Sequence, residues 1–347
     1  MLYIKIMADN YFCLDIDEKF TKVVDAKKVG EIIEISALGK TETPELFYTS
    51  TLEKNIENQV VQIKKLLETS HIIKKNVNLI IPDSMTYSQI ISMPLLNEKE
   101  LITAIKYQAD QFIPMPIEET NIDIQVIEEN QKEKKVLLLI VAAPKKIIER
   151  IQVTAEMAGL NPESIENELS ANARLINEFN KNILNYYKIN SSQGIVIANF
   201  DTSSTALSYY SLPELIVRET HHLSIGYQLY LKETQINTDT DLIKAQEMLR
   251  TFNKKNLSSF PLEKIVLPLI KEFSNELKIF INKYHPSTIL FTNKIFLFPS
   301  LVDSLQEELG ISISIFDPNT LFKKSSLIDI YKNEMSVFIS ALGGNLR

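Results

Sequence analysis

The feature that most limits the folds open to this chain is a strand-turn-strand pattern that occurs twice. The first copy spans residues 11–25 and the second residues 194–218, and in each copy runs of apolar residues flank short polar turns. Such runs are typical of buried β-strands. A repeated supersecondary unit indicates two related halves within one chain. We therefore predict an α/β protein whose two halves each begin with a β-hairpin.

One further stretch predicts a helix followed by a hairpin, set between strands of the first half. Asn97 can accept a hydrogen bond from the first helical turn, and Glu100 follows three residues later, as in a capping box. Apolar residues recur at helical spacing until Pro114, which disfavours further helix. Alternating apolar residues at 122–126 and an apolar run at 136–142 then flank a polar turn. This stretch is predicted to form a separate α/β module.

Helices and strands complete both halves, and none of them predicts a membrane span. Further helices are predicted over residues 52–69, 144–158, 169–179, 227–236, 240–252, 261–284, 301–309 and 331–342, and further strands over 31–38, 77–82, 287–292 and 311–315. No apolar run approaches the roughly 20 residues that cross a bilayer, and the N-terminal residues do not have the pattern of a signal peptide. A cytoplasmic location is therefore expected.

Composition and residue spacing argue against several classes of function. The chain has 347 residues, 45% hydrophobic and 23% charged, which is an ordinary globular balance with room for two domains. Its formal net charge of −7 argues against nucleic acid or anionic lipid as the main ligand. Cys13 is the only cysteine and is predicted to be a buried structural thiol. The four histidines lack metal-ligand spacing, so no metal site is predicted.

The chain resembles the PilM family of type IV pilus assembly proteins through motifs that follow one another in order. They are Pro94-Leu-Leu, an Ala-Ile-x-x-Gln-Ala-x-x-Phe-Ile-Pro-Met-Pro run at 104–116, a strand ending Val-Ala-Ala-Pro-Lys at 141–145, and Ala-Gly-Leu-Asn-Pro at 158–162. The resemblance is strongest over residues 77–174. It implies an actin-like (ribonuclease H-like) fold of two halves with an inserted small α/β module of the SHS2 type, as in the cell-division relative FtsA.

The resemblance also implies a division into four subdomains. They are a first actin-like subdomain (1–86, 159–192 and 331–347), the inserted module (87–158), a second actin-like subdomain (193–229 and 285–330), and a helical subdomain (230–284).

Nucleotide binding is the chemistry that an actin-like fold suggests. It uses two Asp-x-Gly hairpins whose amides hold phosphates and a Gly-Gly turn that admits the adenosine, and each needs glycine for close backbone approach. Here the corresponding turns are 15–19, 199–203 and 292–294, and glycine is missing from all three. The residues that still match the family, and that form the candidate cofactor-binding set of a vestigial cleft, are Asp15, Lys22, Thr202 and Gly226.

Two aspartates in these turns are expected to repel the phosphates of a bound nucleotide. Asp17 and Asp201 place carboxylates where phosphate charge would lie. A like-charge pair at about 4 Å costs roughly 4 kcal/mol at an effective dielectric of about 20. Half of that at each aspartate weakens binding roughly a thousandfold in total. Bound Mg²⁺ would reverse the sign by using the aspartates as ligands. The expectation is therefore no cofactor, with ATP and Mg²⁺ as the alternative.

The resemblance implies a scaffold without enzymatic activity on the inner face of the cytoplasmic membrane. Such a scaffold holds the N-terminal tail of a PilN-like single-span protein, which lies as an extended peptide in a groove between the first subdomain and the inserted module. The candidate partner-binding residues are Ile105, Ala109, Phe112, Ile113 and Met115. Each of them is explained equally well as part of the module core.

Two alternatives stay open, and both keep the same fold. One is an ATP-binding switch or ATPase in pilus assembly, and the other is an FtsA-like filament former in cell division. FtsA-like proteins end in an amphipathic membrane-binding helix, whereas residues 341–347 read Ala-Leu-Gly-Gly-Asn-Leu-Arg, which is similar to the closing motif of pilus proteins. Formation of a homo-oligomer is also left open.

Overall fold

The computed structural model describes residues 11–97, 100–101, 103–105, 113–189, 192–253 and 262–347. The chain divides into two units, of which the first comprises Met1–Tyr186 with Pro318–Arg347 and the second Tyr187–Asp317. No helix among the described residues is long and apolar enough to cross a membrane.

The described elements follow the predicted order closely. The strands are β1 (Tyr11–Ile16), β2 (Phe20–Val29), β3 (Ile32–Glu42), β4 (Asn76–Ile81), β5 (Tyr87–Pro94), β6 (Thr120–Asn130), β7 (Lys135–Pro144), β8 (Asn161–Asn167), β9 (Ile195–Phe200), β10 (Thr205–Ser211), β11 (Ile216–Leu223), β12 (Thr288–Thr292) and β13 (Ser312–Ile315). The helices are α1 (Glu53–Thr69), α2 (Lys145–Met157), α3 (Glu168–Glu178), α4 (Asn180–Tyr186), α5 (Tyr227–Thr238), α6 (Leu242–Thr251), α7 (Glu263–Tyr284), α8 (Pro299–Leu309), α9 (Ser326–Tyr331) and α10 (Ile339–Asn345).

The first unit is built on a sheet of order β3-β2-β1-β4-β8. β1 is antiparallel to β2 and parallel to β4, which places it at the centre. On one face Leu14 and Leu79 pack with Ile63 of α1 and Ile151 of α2. On the other face α10 lies against the sheet, and a Cβ built at Gly344 would stand 2.6 Å from Cys13 Sγ. Cys13 is therefore buried by helix packing, as its sequence context predicts.

The sheet of the second unit has the order β11-β10-β9-β12-β13. β9 is antiparallel to β10 and parallel to β12, so it has the central position that β1 has in the first sheet. Both sheets therefore run antiparallel on one side of the central strand and parallel on the other. The predicted fold of two related α/β halves is confirmed by this shared topology.

The inserted module has its own antiparallel sheet of order β5-β7-β6. Residues 100, 101 and 103–105 are helical, and the predicted capping box is confirmed. Asn97 N donates to Glu100 Oε2 at 3.1 Å, and Glu100 N donates to Asn97 Oδ1 at 3.0 Å. Leu101 and Ile105 of this module helix pack on Leu138 of β7.

Two predicted subdomain boundaries differ from the structure. The sequence predicts helix α2 as part of the module, but its Ile151 and Ala155 pack in the core of the first sheet, and the last strand of the module sheet, β7, ends at Pro144. Residues 318–330 were assigned to the second half, yet Lys323 N donates to Ile33 O at 3.0 Å and the segment belongs to the first unit. In both cases the segment packs on strands of the first sheet that are distant from it in sequence. The helical subdomain at 230–284 stays a prediction.

The predicted C-terminal helix over 331–342 is also different in the structure. A 3₁₀ turn at Met335–Phe338 precedes the shorter helix α10. Gly343 allows α10 to lie close to α3, since a Cβ at this position would stand 1.9 Å from Ala171 O. The position of α10 therefore depends on its close contact with the backbone of α3. The apolar pattern of residues 331–342 does not predict this contact.

Candidate functional site

The first hairpin holds a buried cluster of three charged residues, Asp15, Asp17 and Lys22. Asp15 on β1 is the register partner of Lys22 on β2. Lys22 Nζ lies 2.8 Å from Asp15 Oδ2 and 2.6 Å from Asp17 Oδ2, and the side chains are 2%, 0% and 4% exposed. Burial raises the pKa of Asp15 to about 7, an effect that Lys22 opposes and Asp17 reinforces. The structure thus brings together two of the predicted cofactor-binding residues, but it joins them to each other.

Two backbone amides in the turn of this hairpin donate hydrogen bonds to an aspartate side chain of the same hairpin. Lys19 N donates to Asp17 Oδ1 at 2.6 Å, and Phe20 N donates to the same oxygen at 2.5 Å. These are amides of the turn that the family resemblance assigns to phosphate. Asp17 therefore supplies the anion that the turn amides would otherwise bind.

In the second hairpin, as in the first, a backbone amide of the turn donates to an aspartate side chain. Thr202 N donates to Asp201 Oδ1 at 2.6 Å. Asn293 Nδ2 donates to Asn199 Oδ1 at 2.8 Å and to Asp201 Oδ2 at 3.4 Å. Asn293 has φ +57°, a left-handed conformation that asparagine tolerates better than most residues. Asparagine therefore stands where the resemblance implies glycine at a small backbone cost, and its side-chain amide is bonded to the second hairpin.

Gly226 and Thr202, the other two predicted cofactor-binding residues, meet at the start of α5. Tyr227 N donates to Asp201 O at 2.9 Å, and Gln228 N donates to Thr202 O at 2.7 Å. A Cβ built at Gly226 would stand 2.4 Å from Ser204 N. The first amides of α5 thus bind carbonyls of the turn, and the close approach of the turn leaves no room for a side chain at Gly226.

These two hairpins do not fit a nucleoside triphosphate. Two amides of the first turn donate to Asp17 and one amide of the second donates to Asp201, and these carboxylates lie where a phosphate would meet the turns. Within the described ranges no group of three or more His, Cys, Asp and Glu residues is placed to hold a metal ion. The turn amides of the hairpins thus have acceptors within the protein, while Asp15 Oδ1 is buried without a hydrogen-bond partner among the described residues.

The module carries a second candidate site, an apolar groove with a volume of about 890 Å³ between the module helix and β6. Leu101 and Ile105 line it from the helix, and Ile122, Ile124 and Val126 line it from β6. Leu101 and Ile105 are buried, whereas Val126 is 51% exposed. The described part of the module helix therefore packs on the sheet while Val126 of β6 stays half exposed beside it.

The predicted partner-binding residues fall into two groups. Ile105 lines the groove, while Ile113 is buried in the same core and Met115 packs against it. Ala109 and Phe112 lie outside the described residues. The apolar residues of β6 were not among the candidates, although their alternation in the sequence predicts the strand. Alternation shows which side chains share a face, but only the packing of the module helix on the sheet shows how much of this face stays accessible.

Comparison with known proteins places the fold and the family. A family model described as type IV pilus assembly protein PilM matches residues 13–347. A solved PilM–PilN type IV pilus biogenesis complex matches with a TM-score of 0.79 at 17% identity, covering 97% of this chain and 97% of that one. The ethanolamine utilization protein EutJ from Carboxydothermus hydrogenoformans matches with a TM-score of 0.52 at 12% identity, covering 96% and 88%. The fold shared with these neighbours is actin-like.

Proposed function

Because this chain belongs to the family of type IV pilus assembly protein PilM, we propose that it is a scaffold that holds the N-terminal tail of a PilN-like membrane protein in the module groove. The observation that carries the proposal is the apolar groove of about 890 Å³ between the module helix and β6. The tail attaches the scaffold to the inner face of the cytoplasmic membrane. The family match over residues 13–347 also supports pilus assembly rather than cell division.

The groove has the chemistry that captures an extended apolar tail. Ile122, Ile124 and Val126 are two residues apart along β6, so their side chains recur about every 7 Å on one face. An extended peptide presents its own alternate side chains at the same spacing. Because apolar side chains of the helix and of β6 line one side of the groove, part of the affinity comes from removing apolar surface from water, at about 25 cal/mol per Å². The solved relative of this fold is itself a complex with PilN, which supports this choice of partner.

Replacing Val126 by Asp is expected to raise the dissociation constant for the tail at least tenfold. The change removes an apolar contact and leaves a carboxylate facing an apolar ligand, and a loss of 1.4 kcal/mol is already tenfold. Calorimetric titration with a synthetic peptide of the first 15 to 20 residues of the PilN-like partner, without nucleotide, measures the effect. Val61→Asp on α1 is the matched control, since Val61 is 62% exposed and lies outside the groove. Equal affinity in the two folded variants would contradict the assigned groove.

We also propose that the protein works without nucleotide and is not an enzyme, because both hairpins bind their own aspartates. Mg-ATP at millimolar concentration is expected to leave the melting temperature unchanged within about 1 °C. A ligand at a hundred times its dissociation constant would add about 2.7 kcal/mol, or very roughly 5 to 11 °C for domains of this size. A thermal scan with Mg-ATP, compared with Mg²⁺ alone, distinguishes the two cases. A rise of several degrees that Asp15→Ala abolishes would support the ATP-dependent switch instead.

A further inference from the structure

The module groove follows the free edge of β6 as well as one of its faces. Among the residues that the structure describes, the sheet order β5-β7-β6 leaves β6 paired with β7 on one side only. Residues 120–124, five in succession, all line the groove. Neighbouring side chains of a strand point to opposite faces. Residues from both faces can line one groove only if the groove runs along the edge of the strand. The groove therefore reaches the side of β6 that does not pair with β7.

The usable length of this edge is set by a β-bulge. The register between β6 and β7 shifts between Val126 and Glu128. A bulge bends its strand and interrupts regular pairing. The straight part of the edge therefore runs from Thr120 to Val126 and is roughly 20 Å long at about 3.4 Å per residue. Every second residue along it directs its N–H and C=O away from β7, as in any antiparallel edge strand.

The charge around this edge is negative. Asp123 and Glu129 line the groove and are exposed. Lys145 is the one basic residue among the described lining residues, and its Nζ donates to Glu118 O at 2.6 Å. A ligand that brings Lys or Arg beside its apolar part therefore gains attraction near Asp123, at the middle of the edge, and near Glu129, beyond the bulge.

We propose that the occupant of the groove adds to the module sheet as a fourth strand, paired with β6 over residues 120–126. Its chemistry is that of an apolar segment flanked by Lys or Arg, with alternate side chains lying on Ile122, Ile124 and Val126. This inference rests on the proposed function, because the tail of the PilN-like partner is the occupant. Strand addition gives affinity through main-chain hydrogen bonds and specificity through the pockets for alternate side chains.

A scan of backbone N-methylation along the synthetic tail peptide tests strand addition. In an added strand every second peptide amide bonds to β6 and the amides between point to solvent. Methylation at one set of alternate positions should therefore raise the dissociation constant tenfold or more, while methylation at the intervening positions should change it less than about threefold. Uniform effects at both sets would overturn strand addition. If the unmodified peptide does not bind folded protein at all, the proposed function fails instead, so the two failures are distinguishable.

The charge of the occupant is tested separately on the protein. The double variant Asp123→Gln with Glu129→Gln should weaken binding about three- to tenfold at low salt and flatten the dependence of affinity on salt concentration. The matched control is Glu57→Gln with Glu68→Gln on α1, where both carboxylates are exposed and outside the groove. Equal salt dependence in the two double variants would overturn the basic flank.

Discussion

Replacing Lys22 by Met is expected to lower the free energy of unfolding by about 3–5 kcal/mol at pH 8. Lys22 is 2% exposed and lies within 2.8 Å of both Asp15 and Asp17. Removing its ammonium group leaves two carboxylates buried without a counter-charge, and the methionine cannot restore their hydrogen bonds. Denaturant unfolding of wild type and variant measures the difference directly.

Lys19→Met in the same hairpin is the matched control. Lys19 pairs with Glu42 at 3.3 Å, but the two side chains are 38% and 74% exposed, and such pairs contribute only about 0–1 kcal/mol. A loss for Lys22→Met no larger than that for Lys19→Met would show that the buried cluster does not stabilise the hairpin. Adding Asp15→Asn to Lys22→Met should recover part of the loss, because one of the two uncompensated charges is then absent.

The pH dependence of this loss has a definite sign. Burial raises the pKa of Asp15 from 3.8 to about 7, so between these values the folded protein holds a proton that the unfolded chain has released. This group therefore makes stability fall as pH rises from about 4 to about 7 and leaves it constant above that. Without Lys22, which holds this pKa down, the fall should extend to higher pH. The difference between wild type and Lys22→Met should thus be widest near pH 8 and narrower near pH 5.

The elements of this hairpin follow from the sequence, but its electrostatics do not. Apolar runs flanking a short turn predict β1 and β2, and the family motif selects Asp15 and Lys22. From the sequence, Asp17 is expected to repel phosphate or, with Mg²⁺ bound, to act as a ligand. In the structure the same carboxylate accepts hydrogen bonds from Lys19 N and Phe20 N and pairs with Lys22. These roles depend on turn geometry and strand register, which the identities of the residues do not specify.

The module shows the same division between local and long-range information. The capping box of Asn97 and Glu100 involves residues three apart, so the sequence predicts it correctly. The groove depends on β6 being an edge strand, and the packing of α2 depends on which sheet its apolar face meets. Both are set by contacts between elements far apart in the chain. Apolar periodicity indicates that a face is buried without indicating against what.

A stability measurement tests whether position 226 needs glycine because of packing. Gly226→Ala is expected to destabilise the second unit by about 3 kcal/mol or more, at the upper end of overpacking effects. The new Cβ would stand 2.4 Å from Ser204 N and 2.6 Å from Asp201 O. Both are backbone atoms, so neither can move aside as a flexible side chain would. Relief of the clash must lengthen the hydrogen bond from Tyr227 N to Asp201 O, which is 2.9 Å long and anchors α5.

The backbone conformation of Gly226 makes the space around it the deciding factor. Its φ of −139° is open to any residue, so alanine would be tolerated there if the turn were farther away. Ser224→Ala, two residues earlier and exposed, is the control and should change stability by less than about 0.5 kcal/mol. Thermal and denaturant unfolding without nucleotide measures both variants. If glycine were needed at position 226 only for binding a nucleotide, Gly226→Ala would unfold like wild type in the absence of nucleotide. That result would favour a protein that binds ATP.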